Sequence, residues 1–291
     1  MILNISIFKI VFLILIIPIS LIFEGLRRKF SARMQNRVGP PVWQPFYDVI
    51  KLFEKKDSDS KASENIFFRF GPFLYFLTTL SLFLFVPFPI ISFPFEFILF
   101  IYITILSSAF YVLAGSSSNS PYSLLGTMRD LILMICYEII FVISLFSFIV
   151  YADVTSLAYI NQPFMILKLP LASLSLFVVA LVEMKITPYD TPEAQTEIMG
   201  SIETEYSGKN LAFLEISKNL KFTFFIFLTS TLFFGMQNII MFFVYSIIML
   251  FLFTFYQVTT CRYRTDQTLR ILMMVLLLAV IEFIRIKFIV W

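Results

Sequence analysis

Apolar runs of about twenty residues dominate the chain, separated by short polar stretches. Eight of them lie at roughly 2–23, 72–92, 95–115, 130–151, 165–183, 211–235, 237–258 and 270–290. A helix crossing a bilayer needs about 20 mostly apolar residues, so each run is long enough for a span. The runs are continuous and do not alternate, which predicts helices and not barrel strands. Pro87, Pro89 and Pro94 break the pattern between the second and third runs, and Gly235-Met236-Gln237-Asn238 predicts a tight turn between the sixth and seventh.

Composition agrees with the pattern. Hydrophobic residues make up 59% of 291, and the mean hydropathy is +0.89. The expectation is an all-α integral membrane protein with about eight transmembrane helices, a single membrane domain over 1–291. No polar stretch is long enough for a soluble core. The first twenty residues lack a basic start and a small-x-small cleavage site, so they read as a first span and not as a signal peptide. Cys136 and Cys261 form no CxxC pair, and the absence of histidine excludes an imidazole-ligated haem or zinc site within the chain.

Charge then gives orientation. Eighteen of the twenty-two Lys and Arg fall in loops on one side, ten of them between the first two runs: Arg27, Arg28, Lys29, Arg33, Arg37, Lys51, Lys55, Lys56, Lys61 and Arg69. By the positive-inside rule that side is cytoplasmic and both termini lie outside. Sixteen of the nineteen acids share that side, all but Glu96, Asp153 and Glu282. Mixed signs there suggest a surface for a protein partner, and a net charge of +3 does not suggest nucleic acid.

Residues 24–71 form the largest predicted cytoplasmic loop. After Gly39-Pro40-Pro41, Phe46, Val49, Ile50 and Phe53 fall at i, i+3, i+4 and i+7, which predicts a short amphipathic helix in the membrane interface, with Trp43 at headgroup level. This segment serves equally well as a simple juxtamembrane anchor. Further on, Ser120 or Asn119 is placed to cap a helix beginning at Pro121. Glu138 falls inside the fourth run, and an ionisable residue at such depth is a functional candidate.

The segment 184–220, with Glu183 at its edge, concentrates the acids: Glu183, Asp190, Glu193, Glu197, Glu203, Glu205 and Glu215. Lys185 is near enough in sequence to pair with Glu183. Thr191-Pro192-Glu193 reads as a helix start with a hydroxyl cap, which would put Glu193 and Glu197 at i, i+4 on one face and raise one pKa by repulsion. Tyr206-Ser207-Gly208 turns the chain into the sixth run. The interleaved Ile186, Ile198, Met199, Ile202, Leu211, Phe213 and Leu214 argue against a merely solvated acidic face. Such lines of acids carry protons in pumps; they also occur as static ion-pair networks or assembly contacts in a passive anchor. A stand-alone transporter would favour inverted repeats, and no internal symmetry is evident.

Three stretches resemble one family. RRKFSARMQNRVGPPVWQPFYDVIKLF, SPYSLLGTMRDLILMICYE and EMKITPYDTPEAQTEIMGSIETEYSG, in that order, look like the three signatures of the membrane subunit that joins the two arms of respiratory complex I. The short GPPVWQPFYD and the EYSGKNLAFLEISKNLK stretch are similar to the version found in energy-converting, membrane-bound [NiFe] hydrogenases. That resemblance implies a subunit without its own metal or cofactor, in a ferredoxin- or formate-linked complex that evolves H2 and translocates protons or sodium ions. The [NiFe] centre and iron–sulfur clusters would sit on partners: hydrogenase-like large and small subunits and a ferredoxin-like cluster subunit. Antiporter-like membrane subunits would complete the complex. A sulfane-sulfur reductase or a quinone-reducing, complex I-like enzyme would use the same subunit. The resemblance implies an acidic ion path through Glu138, Glu183, Asp190, Glu193, Glu197 and Glu205, to which Glu203 and Glu215 are added as neighbours in sequence. It also implies peripheral-arm docking by Arg28, Arg33, Arg37, Asp48 and Arg129. Where the family has an arginine after the span-five acid, this chain has Lys185, a point charge without a bidentate fork.

Overall fold

A computed structural model describes the backbone of all residues except 1, 57–64, 91, 119, 155, 157–161, 236–237 and 291. Lys61, Asn119 and the Met236-Gln237 turn lie outside the described residues. The described residues are mostly helical, and no strand occurs among them. The helices are α1 (Ile2–Met34), α2 (Gln44–Glu54), α3 (Ile66–Leu82), α4 (Glu96–Ser116), α5 (Pro121–Ala152), α6 (Met165–Lys168), α7 (Pro170–Glu183), α8 (Gln195–Ile198), α9 (Gly208–Phe234), α10 (Ile239–Thr259) and α11 (Thr265–Val290).

Each predicted run has its helix. Helices α4, α5 and α10 are long and apolar enough to cross a membrane by length and composition, and α3 and α7 are shorter apolar helices. The protein is an integral membrane protein. The fifth run is not one continuous helix: α6 stops at Lys168, and Pro170, which lacks an amide hydrogen, opens α7. At 1.5 Å per residue, α7 rises only about 21 Å, short of the ~30 Å hydrocarbon core. Arg285 on α11 donates to the Lys168 carbonyl at 2.7 Å and to Glu282 at 2.6 Å, so a terminal carbonyl of α6 is satisfied at the break.

Two boundaries differ from the sequence reading. Residues 24–34, expected in the first loop, continue α1, because Glu24 pairs with Arg27 and Arg28 one turn later on the same helix. The sixth helix, expected from about 211, begins at Gly208, so 208–220 of the acidic segment are the first half of α9. Lys218 and Lys221, expected in a loop, are therefore helical, and Lys221 is only 4% exposed.

Helix α9 is the central element. Its residues from Lys221 to Ser230 are all buried, and it packs on α1, α2, α3, α7 and α10. Phenylalanine fills the core around it. Phe227 meets Phe23 edge-on at 5.3 Å and Phe242 at 5.1 Å, and Phe224 meets Phe83 at 5.6 Å. The buried hydroxyls of Thr223, Thr229 and Ser230 are satisfied by carbonyls three or four residues back, which lets polar residues sit inside the bundle.

The helix ends sort into two groups. Arg27 reaches Gln257 at 3.3 Å, Asn65 reaches the Ser117 carbonyl at 3.0 Å, and Tyr263 donates its amide to Pro188 at 3.0 Å. These bonds gather the last turns of α1, α4 and α10 with the starts of α3 and α11 at one polar end. At the other end, Lys9 bonds the Pro89 carbonyl and Phe164 packs on Phe234. The residues of the predicted cytoplasmic loops thus share one end of the bundle.

The amphipathic helix expected after the Gly39-Pro40-Pro41 turn forms as α2, at Gln44 instead of Pro45. Val49 and Pro45 are buried and Phe46 partly so, while Ile50, Phe53, Tyr47 and Trp43 remain exposed. Only part of the apolar stripe therefore packs within the chain, against α9 and α1.

Candidate functional site

The polar end holds a network of acids and bases built around residues 184–207. This segment is a compact excursion and not a helix. Pro188 and Pro192 interrupt helical hydrogen bonding, and Lys185, Met199, Gly200 and Ser201 all have positive φ. What remains is two 3₁₀ turns, Thr191–Glu193 and Ser201–Glu205, flanking the single turn of α8. Gly126 lets the excursion lie directly on α5: a Cβ there would fall 1.6 Å from Ser201 Oγ and 2.8 Å from the Pro192 carbonyl.

This geometry corrects several expectations. Thr191 does not cap a helix; Asp190 occupies the N-cap position without a side-chain bond, and Thr191 Oγ1 is buried without a hydrogen-bond partner among the described residues. Ser120 likewise precedes α5 at Pro121 without a side-chain cap bond. Glu193 and Glu197 do not share a helix face, because the chain between them is not one helix. Nor does Lys185 pair with Glu183. It lies 2.7 Å from Asp130 and 3.6 Å from Glu193, while Glu183 pairs with Lys221 at 2.6 Å.

Glu193 is the centre of the inner network. Its Oε1 accepts from the Tyr111 hydroxyl at 2.7 Å and lies 2.8 Å from Lys218 Nζ. Lys218 also bonds Glu203. Burial alone would raise the Glu193 carboxyl, but Lys218 and then Lys185 outweigh it and hold the group down at about 2, the opposite of the expected rise. Burial pulls Lys185 below the usual lysine value, against the attraction of Asp130 and Glu193. Lys185 Nζ also sits 3.3 Å above the centre of the Tyr111 ring.

Glu183, at the end of α7, and Lys221 are both almost fully buried. Glu138 on α5 is half-buried and accepts from Ser108 at 3.3 Å, with Glu183, Lys221 and Asp130 as its charged neighbours. Glu215 lines a cavity of about 230 Å³ with Glu24, Arg27, Arg28, Glu203 and Lys218. The structure thus brings Glu138, Glu183, Glu193, Glu203 and Glu215 to one region.

Asp190 and Glu197 are held by arginines instead. Asp190 is held by both Nε, at 2.8 Å, and a terminal nitrogen of Arg262, whose third contact is Thr196 at 2.9 Å. The hydrogen bonds to Asp190 raise the Arg262 guanidinium further above its usual value. Glu197 is exposed and pairs with Arg129 at 2.7 Å. Glu205 is half-buried and makes no ion pair among the described residues.

Of the expected docking residues, Arg28 bridges Glu24 and Asp48, both at 2.9 Å, and so ties α1 to α2. Arg33 and Arg37 are exposed, and Arg37 lines a second cavity of about 450 Å³ with Arg27, Arg28 and Gln257. Arg129 is committed to Glu197 and to the Thr191 carbonyl.

Sequence reasoning missed Glu24, Tyr111, Asp130, Lys218, Lys221 and Arg262 as site residues. Some signal existed: Glu24 with Arg27 and Arg28 has i+3, i+4 spacing, and Glu215, Lys218 and Lys221 recur every three residues. Tyr111 carried none, since its role depends on three segments distant in sequence.

Comparisons with known proteins bear on the family and the fold. The NADH dehydrogenase family matches residues 7–287. The chain is 30% identical over 217 residues to Hydrogenase-4 component C of Escherichia coli (strain K12), covering 72% of this chain and 69% of that protein. It is 32% identical over 222 residues to an NADH-quinone oxidoreductase subunit of Carboxydothermus hydrogenoformans, covering 72% and 63%. The chain therefore spans about two thirds of the length of these relatives. Its fold resembles a chain of the membrane-bound sulfane sulfur reductase, an archaeal respiratory membrane complex, with a TM-score of 0.86 at 22% identity over 97% of this chain and 99% of that one. With its helices in the expected order, its buried acid–base network and a family match along nearly its whole length, the chain belongs to the NADH dehydrogenase family of complex I-type membrane subunits.

Proposed function

We propose that this chain is the arm-joining membrane subunit of an ion-translocating oxidoreductase complex, and that its buried acid–base network couples the redox reaction to ion movement. The observation that carries the reading is the alternation of acids and bases from the polar end into the bundle. Glu203, Lys218, Glu193, Lys185 and Asp130 follow one another within ion-pair distance, with Glu183–Lys221 and Glu138 beyond them. Alternation of this kind supplies both a proton donor and an acceptor at each step. The exposed Arg33 and Arg37 and the outward residues of α2 suit contact with a peripheral arm.

The finer proposal is a membrane-bound [NiFe] hydrogenase, ferredoxin- or formate-linked, in a prokaryotic cell membrane with both termini outside. It draws support from the likeness to Hydrogenase-4 component C and from the short GPPVWQPFYD turn. Its partners would be hydrogenase-like large and small subunits, a ferredoxin-like cluster subunit and antiporter-like subunits, with the metal centres on those chains.

The coupling role is tested in inverted vesicles by replacing Glu138 or Glu193 with Gln and measuring H⁺ and Na⁺ uptake per redox turnover. Reduced uptake in fully assembled complex is expected. Undiminished uptake with lower yield would leave these acids as assembly contacts. The branch is tested by purifying the complex and assaying H2 evolution, sulfane-sulfur reduction and quinone reduction side by side. Activity with sulfur or quinone alone would overturn the hydrogenase reading.

A further inference from the structure

Tyr111 lies on α4, an element that supplies none of the acids of the network, yet it touches three of its members. The side chain is 2% exposed. Its hydroxyl donates to Glu193 at 2.7 Å, and Lys185 and Lys218 lie 3.3 and 5.4 Å from its ring centre. Tyr75 of α3 packs against it, with ring centres 5.3 Å apart. A cation over an aromatic face is held best where water is excluded. Lys185 has two carboxylates to choose from, Asp130 at 2.7 Å and Glu193 at 3.6 Å. Its ammonium can move between them while keeping the ring beneath it.

We propose that Tyr111 is the positioning residue of the network: its ring seats Lys185 between Asp130 and Glu193, and its hydroxyl fixes the Glu193 carboxylate against Lys218. This inference rests on the ion-path reading above for its functional consequence, but not for its geometry. Lysine suits such a seat because it is a compact point charge on a flexible stem; an arginine fork would bind one carboxylate bidentately and stay there. The groups facing Glu193 are Tyr75 of α3, Tyr111 of α4, Asp130 of α5, Lys185 after α7, Glu203 of the second 3₁₀ turn, Glu215 and Lys218 of α9, and, across the shared cavity, Glu24, Arg27 and Arg28 of α1. Of these, Tyr111 is the neutral donor to the carboxylate, so its hydroxyl can be removed without changing the charge of the network.

The test uses the assembled complex with wild-type, Tyr111→Phe and Tyr111→Leu subunits. The carboxyl infrared band of Glu193, assigned by its loss in Glu193→Gln, is titrated, and ion uptake per redox turnover is measured against pH. Tyr111→Phe keeps the ring and loses the hydroxyl. It should raise the Glu193 midpoint by about one pH unit, the worth of one hydrogen bond to a charged group. Tyr111→Leu also removes the seat and should lower uptake per turnover by roughly tenfold or more. An unmoved Glu193 midpoint in Tyr111→Phe overturns the proposal, whatever the yield of complex. If the wild-type complex takes up no ions, the ion-path reading fails, and the infrared titration still decides the role of Tyr111.

Discussion

The acids of one segment fall into two rows that differ in their partners. Inward, Glu183, Glu193 and Glu203 face lysines: Lys221, Lys185 and Lys218. A second, outer row faces arginines: Glu197, which is exposed, meets Arg129, and Asp190, no more exposed than Glu193, meets Arg262. Lysine offers a mobile point charge whose pKa shifts on burial, whereas arginine offers a planar fork that stays charged. In the ion path proposed above, the inner row is the part that would exchange partners or protons. The outer row is built to hold the segment onto α5 and the α10–α11 connection.

The largest expected effect breaks the inner row at its most buried pair. Lys221→Met leaves Glu183 without its cation inside the bundle, and breaking a buried pair costs about 3–5 kcal/mol. A marked fall in the thermal midpoint of the solubilised complex is expected. Adding Glu183→Gln should restore most of it, because the isolated charge is then gone. Failure of the double variant to recover would mean that Lys221 acts through packing.

An intermediate effect is expected at Gly126, where both rows rest on α5. Gly126→Ala places a methyl against Ser201 and the Pro192 backbone, and overpacking of this kind costs about 1–3 kcal/mol. Limited proteolysis of 184–207 should accelerate. Unchanged cleavage would show that the segment yields without cost.

A titration tests the inner row at Glu193. The Glu193 carboxyl is held below its ordinary value of 4.5, at about 2. It therefore contributes stability that is full above 4.5 and is lost as pH falls toward 2. Removing the principal lowering partner with Lys218→Met moves that loss to higher pH. Thermal midpoints followed downward through the ordinary carboxyl range, roughly pH 4, should separate wild type from variant. Coincident curves would remove Lys218 from that role.

The smallest effect is expected in the outer row. Arg262→Lys loses the fork on Asp190 but keeps the charge, at a partly exposed site, so about 1 kcal/mol or less is expected, with ion uptake per turnover unchanged. A large loss of uptake would erase the distinction between the rows.

How far the sequence reached differs by feature. Eight apolar runs became eight helical regions because about twenty consecutive apolar residues have few alternatives in a bilayer. The break at Leu169–Pro170 was legible in the proline but was overridden by the continuity of the run. The concentration of acids after Glu183 was also legible, and Glu183, Glu193 and Glu203 do face the interior. Their partners were not, because a helix assumed from Thr191-Pro192-Glu193 put Glu193 and Glu197 on one face. In the folded chain, prolines and left-handed residues send Glu193 inward and Glu197 outward.

By itself, the sequence determined the membrane class, the number and order of apolar helical regions, the polar end and the family, all of which follow from composition, periodicity and local motifs. Only the tertiary structure decided which base meets which acid. Asp130 with Lys185, Glu183 with Lys221 and Tyr111 with Glu193 join residues 38 to 82 positions apart. Charge attraction acts through space and not along the chain, so these pairs exist only after α4, α5, α7 and α9 have packed together.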